Sequence, residues 1–168
     1  PQLGYDRGHM CMKQHAWRLG ESADWNTHTL LNACPQRSKL NQGIWLNLEQ
    51  KTASWADKYG SVWIIAGPIF LNKKPTKWLG ELGEVPVAIP DAFFKIVVME
   101  KQDGSVDALA FIYPQVGINY KTGGGYDHTP YLVSIDVIEA LTGLDFLPEV
   151  EQNEQEKLEQ ITQIEIWE

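Results

Sequence analysis

Two stretches near the start of the chain gather the side chains with the strongest chemical character. Residues 5–10 read YDRGHM, and the second stretch supplies Asn32, Asn41 and Glu49. His9 is suited to act as a base, because an imidazole with a pKa of about 6.5 can take a proton from water at neutral pH. Arg7 offers a fixed planar cation to a phosphate oxygen. These residue types predict a metal-assisted site that cleaves phosphodiester bonds.

A helix over residues 39–59 is the element that must position the second group. Ser38 is a suitable N-cap for this helix, and Gly60 is a suitable C-cap. Apolar residues recur every four positions in its first half and predict a buried stripe. They are Leu40, Ile44 and Leu48.

Asn41 and Glu49 lie on one side of this predicted helix. At ~100° per residue, Asn41, Trp45 and Glu49 fall within an ~80° sector beside the apolar stripe. We expect Trp45 to pack in the core rather than to stack on a base. Asn41 and Glu49 are about 12 Å apart along the axis, too far for both to bind one Mg²⁺ at ~2.1 Å. The geometry therefore predicts Asn41 as the direct metal ligand and Glu49 as the residue that holds metal-bound water.

The remaining pattern favours one α+β domain over residues 1–168. Strands are predicted at residues 3–10, 29–31, 61–70, 85–89, 93–99 and 108–113, and Pro35 is expected to end the second strand. A helix is predicted over residues 134–141, and the acidic segment 149–168 has apolar residues at helical spacing. Residues 11–27 are predicted to be irregular or briefly helical, and loops are predicted at residues 71–84 and 114–130. We find no internal repeat and no linker, so one domain is the simplest organisation.

Charge is distributed unevenly along the chain. The net charge is −8, but residues 1–77 hold 10 Lys+Arg against 5 Asp+Glu, a balance of +5. Residues 78–168 hold 4 Lys+Arg against 17 Asp+Glu, a balance of −13. The half that carries the motifs is therefore the half that would attract a polyanion. No apolar run approaches the ~20 residues of a membrane span, so a transmembrane helix is not expected.

The two cysteines leave several alternatives open. Cys11 and Cys34 each follow a suspected site residue by two positions, so a disulfide and a pair of free thiols are both compatible with the sequence. A structural Zn²⁺ bound by these cysteines with His9 and His15 is a further alternative. The spacing is poor for zinc, because the chain has no CxxC or HxxxH pair.

Three runs together resemble a known family of nucleases. YDRGHM is followed by N-x-x-P-Q at residues 32–36 and by LNQ-x-x-W-x-x-LE at residues 40–49. Their order and spacing resemble the DNA/RNA non-specific endonucleases, the ββα-metal nucleases with a DRGH motif that include endonuclease G. Later blocks, including Gly67–Phe70 and the Phe94-Lys95 pair, look similar to this family as well.

The resemblance implies a function, a fold and a role for each site residue. It implies hydrolysis of DNA and RNA to 5′-phosphate products, and a central antiparallel sheet flanked by helices with a ββα-metal motif. It implies His9 as the general base and one Mg²⁺, replaceable by Mn²⁺ or another divalent cation. The metal would be bound directly by Asn41 and through water by Glu49, with Asn32 supporting the site and Arg7 contacting the phosphate. The basic residues assigned to substrate binding are Arg7, Arg37, Lys39 and Lys51.

The chain departs from the family pattern at two places. Family members often have an arginine where this chain has Ala53, and Lys51 or Arg37 would have to replace it. The family also has a segment before DRGH, whereas five residues precede Asp6 here, so we expect that segment to be removed, separate or absent. An impaired relative that only binds nucleic acid is therefore the alternative function. The resemblance also implies that homodimers occur, and a secreted or periplasmic bacterial protein is the expected location.

Overall fold

The computed structural model describes residues 4–116 and 120–168, which form ten strands and five α-helices. The strands are β1 (Tyr5–His9), β2 (Ala33–Arg37), β3 (Trp63–Ile69), β4 (Trp78–Leu79), β5 (Val87–Ala88), β6 (Ala92–Glu100), β7 (Val106–Pro114), β8 (Lys121–Thr122), β9 (Gly125–Tyr126) and β10 (Leu132–Val133). The helices are α1 (Lys13–Trp17), α2 (Glu21–Asn26), α3 (Leu46–Tyr59), α4 (Ile135–Thr142) and α5 (Gln152–Gln160). Residue 3 of the first predicted strand and residues 117–119 of the last predicted loop lie outside the described residues.

A four-stranded antiparallel sheet forms the centre of the fold. Its strand order is β10-β7-β6-β3, and β6 pairs along its length with both neighbours. The sequence of β6, AFFKIVVME, is almost continuously apolar, as expected for a strand covered on both faces. The antiparallel sheet flanked by helices is confirmed. None of the described helices is long and apolar enough to cross a membrane.

The two faces of the sheet carry separate cores, because side chains alternate along each strand. Phe93 and Val97 of β6 face the cluster that α3 builds, and Phe94 and Ile96 face the cluster that α4 builds. Trp45 is fully buried in the first cluster, with its ring 5.8 Å from that of Phe93. The prediction that Trp45 packs in the core is therefore confirmed.

β1 and β2 form an antiparallel pair that precedes the long helix, so the order of elements is ββα. Asp6 lies opposite Gln36, and Arg7 lies opposite Pro35. The strand predicted over residues 29–31 is wrong, since residues 30–32 form a 3₁₀ turn with Leu31 97% exposed. Pro35 does not end a strand but lies inside β2. A proline is tolerated there because the described residues place no other strand beside β2, so its missing N–H costs no ladder bond.

The predicted helix over residues 39–59 exists but is not regular. Residues 40–45 form a π-helical turn with a kink at Gly43 (φ −108°, ψ −113°), and α3 continues from there to Gly60. Gly60 has φ +96° and its N–H donates to Ala56 O, so the predicted C-cap is confirmed. Ser38 is not an N-cap, because its hydroxyl donates to Asp6 instead of accepting from the helix. The kink changes the angular positions that a regular helix would give to Asn41 and Glu49.

The outer elements match the elements predicted from the sequence in type more than in length. The helix predicted over residues 134–141 is α4, whose N-cap Ser134 accepts from Val137 N–H and whose C-cap is Gly143. The strand predicted over residues 85–89 is reduced to β5, which pairs with β4 inside a segment predicted as loop. Helix α5 accounts for part of the helical spacing in the acidic tail. These elements frame the sheet but lie outside the ββα unit.

Candidate active site

His9 and Arg7 project from the end of β1. As residues two apart in a strand, they share one face of the β1–β2 pair. Arg7 is exposed and His9 is half-buried. Within the described residues, neither ring nitrogen of His9 has a hydrogen-bond partner and Arg7 has no ion-pair partner. Both side chains can therefore engage a substrate.

Asp6 joins this strand to the kinked helix. Its carboxylate accepts hydrogen bonds from Ser38 Oγ (2.7 Å), Asn41 Nδ2 (3.0 Å) and Gln42 Nε2 (2.8 Å). These donors favour the charged form, with Ser38 first and Asn41 next, and they lower the pKa of Asp6. The sequence places Asp6 within DRGH but does not reveal what it contacts. The structure makes it the contact between the two predicted halves of the site.

Asn41 is oriented by its bond to Asp6. Because Nδ2 donates to Asp6, the Oδ1 atom is the end of the amide that can accept a further ligand. The described residues provide no donor to Oδ1. An amide oxygen is a hard ligand of the kind that Mg²⁺ prefers, so the chemistry of Asn41 fits the predicted metal.

Glu49 is buried beside a lysine that sequence reasoning did not identify. Glu49 is only 6% exposed and Lys95 is 1% exposed, and Lys95 Nζ lies 3.6 Å from Glu49 Oε1. Burial raises the pKa of Glu49 and the charge of Lys95 opposes that rise; burial likewise lowers the pKa of Lys95 against the charge of Glu49. A lysine inside the apolar run of β6 is the signal that could have revealed this pair, since buried lysines are rarely unpaired.

Asn32 fixes the loop that follows His9. Its side chain accepts from Cys11 N–H (2.8 Å) and donates to Cys11 O (2.9 Å) and Thr27 O (3.1 Å). Its backbone carbonyl also accepts from Met10 N–H at 2.9 Å. Asn32 therefore holds the chain that leaves β1, which is compatible with the supporting role predicted for it.

Gln36 packs across Gly8, directly before His9. Gln36 is fully buried, and both its amide oxygen and its amide nitrogen are without a hydrogen-bond partner within the described residues. A Cβ at Gly8 would lie 2.5 Å from Gln36 Cβ and closer still to Gln36 Oε1. Gly8 is thus required for close approach of the strands. The unpaired amide of Gln36 is a second polar group at this site whose position the sequence does not reveal.

The basic residues predicted to bind substrate are spread around the site. Arg37 lies 4.2 Å above the ring of Tyr5, and Lys39 is exposed beside a cavity of about 530 Å³. Lys51 lies near His128 and its charge contributes to the lowered pKa of that histidine. Neither Arg37 nor Lys51 lines the groove of about 810 Å³ that Ala53 lines. The cation next to Glu49 is instead Lys95.

The cysteines are free thiols in the structure. Cys11 is exposed in the turn after β1, and Cys34 is half-buried opposite Gly8 in β2, so the disulfide alternative is not formed. Both thiols line the larger groove, and partial desolvation by its walls raises the pKa of each. His15 lines the same groove, but its Nε2 is engaged with the backbone carbonyl of Glu49 at 3.0 Å. Within the described residues these groups do not gather into a zinc site.

A group of three carboxylates lies on the opposite face of the sheet. Asp136 and Glu139 of α4 and Glu159 of α5 offer oxygen atoms within 4.8 Å of one another, a spacing that could hold a metal ion. Glu139 and Glu159 already accept hydrogen bonds, from Phe146 N–H and Gln155 Nε2. This group belongs to the α4 side and is separate from the ββα unit.

Comparison with known proteins identifies the family. The family model described as DNA/RNA non-specific endonuclease matches residues 1–153. Mitochondrial endonuclease G of Bos taurus is 32% identical over 154 residues, which is 88% of this chain and 49% of that protein. The mitochondrial nuclease of Saccharomyces cerevisiae is 32% identical over 168 residues, which is 92% of this chain and 50% of that protein. The chain thus spans about half the length of the curated relatives it matches.

The fold gives the same result. A crystal structure of an EndoG/EndoGI complex matches with a TM-score of 0.72 and 26% identity, covering 91% of this chain and 63% of that chain. The matched family model extends over both strands of the ββα unit, the kinked helix and the central sheet. Sequence and fold therefore agree that this chain belongs to the DNA/RNA non-specific endonuclease family.

Proposed function

We propose that this chain hydrolyses phosphodiester bonds of DNA and RNA, with His9 as general base and one Mg²⁺ as cofactor. The observation that carries the proposal is the contact of Asp6 with Asn41, because it ties the DRGH strand to the helix that bears the predicted metal ligands. Family membership supports the same reaction. Mn²⁺ or another divalent cation with oxygen preference could replace Mg²⁺.

Asn41 and Glu49 are the residues that would hold the metal. Asn41 would supply Oδ1 as a direct ligand, and Glu49 would accept hydrogen bonds from metal-bound water. When bound, Mg²⁺ would stabilise negative charge on the phosphate and on the leaving oxygen. The three carboxylates of α4 and α5 have no part in this proposal, because they lie across the sheet from His9 and Asn41.

His9 and Arg7 do the remaining chemistry. A ring nitrogen of His9 takes a proton from water, and the water oxygen forms a bond to phosphorus. The bond from phosphorus to the 3′-oxygen breaks, which leaves a 5′-phosphate on one product and, after protonation, a 3′-hydroxyl on the other. Arg7 shares the strand face of His9 and provides a cation for a phosphate oxygen.

The nucleic acid would continue past Lys39. The cavity of about 530 Å³ adjoins Ser38 and Gln42, two of the residues bonded to Asp6, and it is lined further by Lys39, Tyr120 and Tyr126. Cationic and aromatic side chains contact phosphates and bases without selecting a sequence. This lining supports a substrate bound through its backbone, as non-specific cleavage requires.

A plasmid-nicking assay with and without Mg²⁺ tests the proposal. We expect wild-type protein to nick only when Mg²⁺ is present, because the cation would stabilise the charge that develops on the leaving oxygen. His9→Ala should lose cleavage by at least about 100-fold, the lower range for a general base, while retaining its metal affinity. Asn41→Ala should instead weaken metal binding itself.

One control variant and two possible outcomes complete the nicking assay. His28→Ala, which changes an exposed histidine outside the ββα unit, should cleave like wild type. Unimpaired cleavage by His9→Ala would disprove the assignment of the base. If wild-type protein binds DNA but does not cleave it with any divalent cation, the chain is the impaired relative considered for Ala53.

A further inference from the structure

Lys95 is a charged side chain enclosed in the hydrophobic core. It lies near the middle of β6, its side chain is 1% exposed, and its neighbours along the strand face are Phe93 and Val97. A buried ammonium costs several kcal/mol unless it is paired, so its contacts must compensate for lost hydration. The residues that the Lys95 ammonium contacts therefore indicate its role in the protein.

Two contacts of the Lys95 ammonium belong to one stretch of the kinked helix. Its Nζ lies 4.1 Å from the ring centroid of Trp45 and 3.6 Å from Glu49 Oε1. Trp45 and Glu49 are four residues apart, so they are neighbours on the helix surface. The ammonium is therefore held against the ring while it pairs with the carboxylate.

The pair is not explained by stability alone. Replacing a buried ion pair with apolar residues of similar volume is often neutral or stabilising in proteins. Trp45 and Phe93 already fill the surrounding core. The property that an apolar pair could not supply is a carboxylate held in one orientation inside the protein by a fixed cation.

We propose that Lys95 is a positioning residue, which holds the carboxylate of Glu49 in place for metal-bound water. The proposal rests on the proposed function for the role of Glu49. A carboxylate accepts up to about four hydrogen bonds, so pairing with one ammonium leaves Glu49 with capacity for water. Lys95 itself would touch neither substrate nor metal. It would act on the reaction only through Glu49.

The test measures Mn²⁺ binding in the absence of nucleic acid, by electron paramagnetic resonance of the free ion. Lys95→Met removes the charge with little change in volume. We expect its Mn²⁺ affinity to fall about 10-fold, as is usual when a residue supporting a metal ligand is removed. In a Glu49→Gln background, Lys95→Met should change the affinity less than twofold further, because its action passes through Glu49. A merely structural lysine would not show this dependence on Glu49.

Two further variants complete the test. Lys101→Met is the matched control, because it removes the exposed ion pair with Asp107 just beyond the end of β6, and it should bind Mn²⁺ like wild type. Lys95→Gln keeps a hydrogen-bond donor next to Glu49, and we expect an affinity between those of wild type and Lys95→Met. It also provides the measurement if Lys95→Met does not fold.

The outcomes separate this inference from the proposed function. Wild-type Mn²⁺ affinity in a folded Lys95→Met or Lys95→Gln protein would overturn the positioning role, whatever the cleavage assay shows. A loss of affinity that is equally large in the Glu49→Gln background would also overturn it. If the variants behave as expected but wild-type protein cleaves no nucleic acid, the proposed function fails and the positioning of Glu49 stands.

Discussion

At the residue scale, the site depends on hydrogen bonds between its polar groups. Asp6 takes three hydrogen bonds from the start of the helix, and Asn32 takes and gives bonds to the loop after His9. Hydrogen bonds to a charged acceptor contribute about 1.5–3 kcal/mol each. His9 and Arg7, whose side chains have no hydrogen-bond or ion-pair partner among the described residues, are the groups expected to meet the substrate. Rigid neighbours therefore surround two reactive groups.

His128 links the stability of the protein to pH. Its ring lies 2.9 Å from Tyr113 Oη and 2.9 Å from Asn47 Oδ1, and burial lowers its pKa from 6.5 to about 4. The folded state thus disfavours the protonated ring, so the contribution of His128 is complete above pH 6.5 and is lost as pH falls toward 4. The slope from this one group is at most about 1.4 kcal/mol per pH unit.

The comparison of wild type with His128→Gln by urea unfolding isolates this effect. At pH 7 the variant should be less stable, because it loses the fit of the ring between Tyr113 and Asn47. Near pH ~4.5 the difference in unfolding free energy should be smaller, because burial of a neutral histidine destabilises only the wild-type protein at this pH. A difference that stays constant between these two pH values would contradict the assignment.

At the element scale, the β1–β2 pair depends on one glycine. A methyl group at Gly8 would enter the space of the buried Gln36 side chain, and the strand after Gly8 ends at His9. We expect Gly8→Ala to lower the free energy of unfolding by about 1–3 kcal/mol, the usual cost of overpacking. Cleavage should also fall, because displacement of β1 moves His9.

Two controls accompany Gly8→Ala in the same unfolding and nicking measurements. Gly124→Ala should be nearly neutral, since a Cβ there meets open space. Adding Gln36→Gly to Gly8→Ala removes Gln36 Cβ together with the amide, which are the atoms that the new Cβ would meet, and should restore part of the stability lost. Full wild-type stability of Gly8→Ala alone would show that the strands can separate without cost.

The elements differ in how far their sequences determined them. Apolar runs and periodicity were enough to predict β3, β6, β7 and α4. The run is continuously buried in β6, whereas β3 is an edge strand in which only Gly67 and Ile69 are fully buried. The apolar pattern at residues 29–31 was misleading, since Leu30 and Leu31 are exposed. The strand that pairs with β1 begins only at Ala33. The kink at Gly43 was missed because a helical pattern does not reveal where one residue leaves helical geometry. The direct and water-mediated roles of Asn41 and Glu49 thus remain predictions drawn from a regular helix.

Contacts between residues far apart in the sequence limited how much of the site could be predicted. DRGH, Asn41 and Glu49 were accessible from the sequence because they lie close together in the chain, between residues 6 and 49, and share a recognisable order. Lys95 was not accessible, because its partner Glu49 comes from a different element and only the packing of α3 on β6 brings them together. A lysine inside an apolar strand indicates that the lysine is paired, but it does not show which residue is the partner.

At the scale of the whole molecule, the basic half of the chain should govern nucleic-acid binding. Binding of a short DNA duplex in EDTA should weaken as salt rises, with a slope of about −0.9 in log affinity against log salt for each phosphate neutralised. Lys39→Ala should reduce the slope by about one unit, because Lys39 is exposed beside the proposed path of the strand. Fluorescence anisotropy at several salt concentrations measures both slopes.

Lys157→Ala is the matched control for this measurement. Lys157 lies in the last turn of α5, on the acidic side of the sheet, and its removal should leave the slope unchanged. A slope that responds equally to both substitutions would show that overall charge, rather than the proposed path, determines binding.

The separation of the two faces by the sheet has a consequence for how the protein meets its substrate. The acidic side chains of α4 and α5 lie across the sheet from α3, and the helix that bears Asn41 lies on the other side. A molecule built in this way has an electric dipole. The field of an approaching polyanion exerts a torque on that dipole, which turns the acidic helices outward before any contact forms. We expect many first encounters to begin with His9 and Arg7 already facing the phosphates.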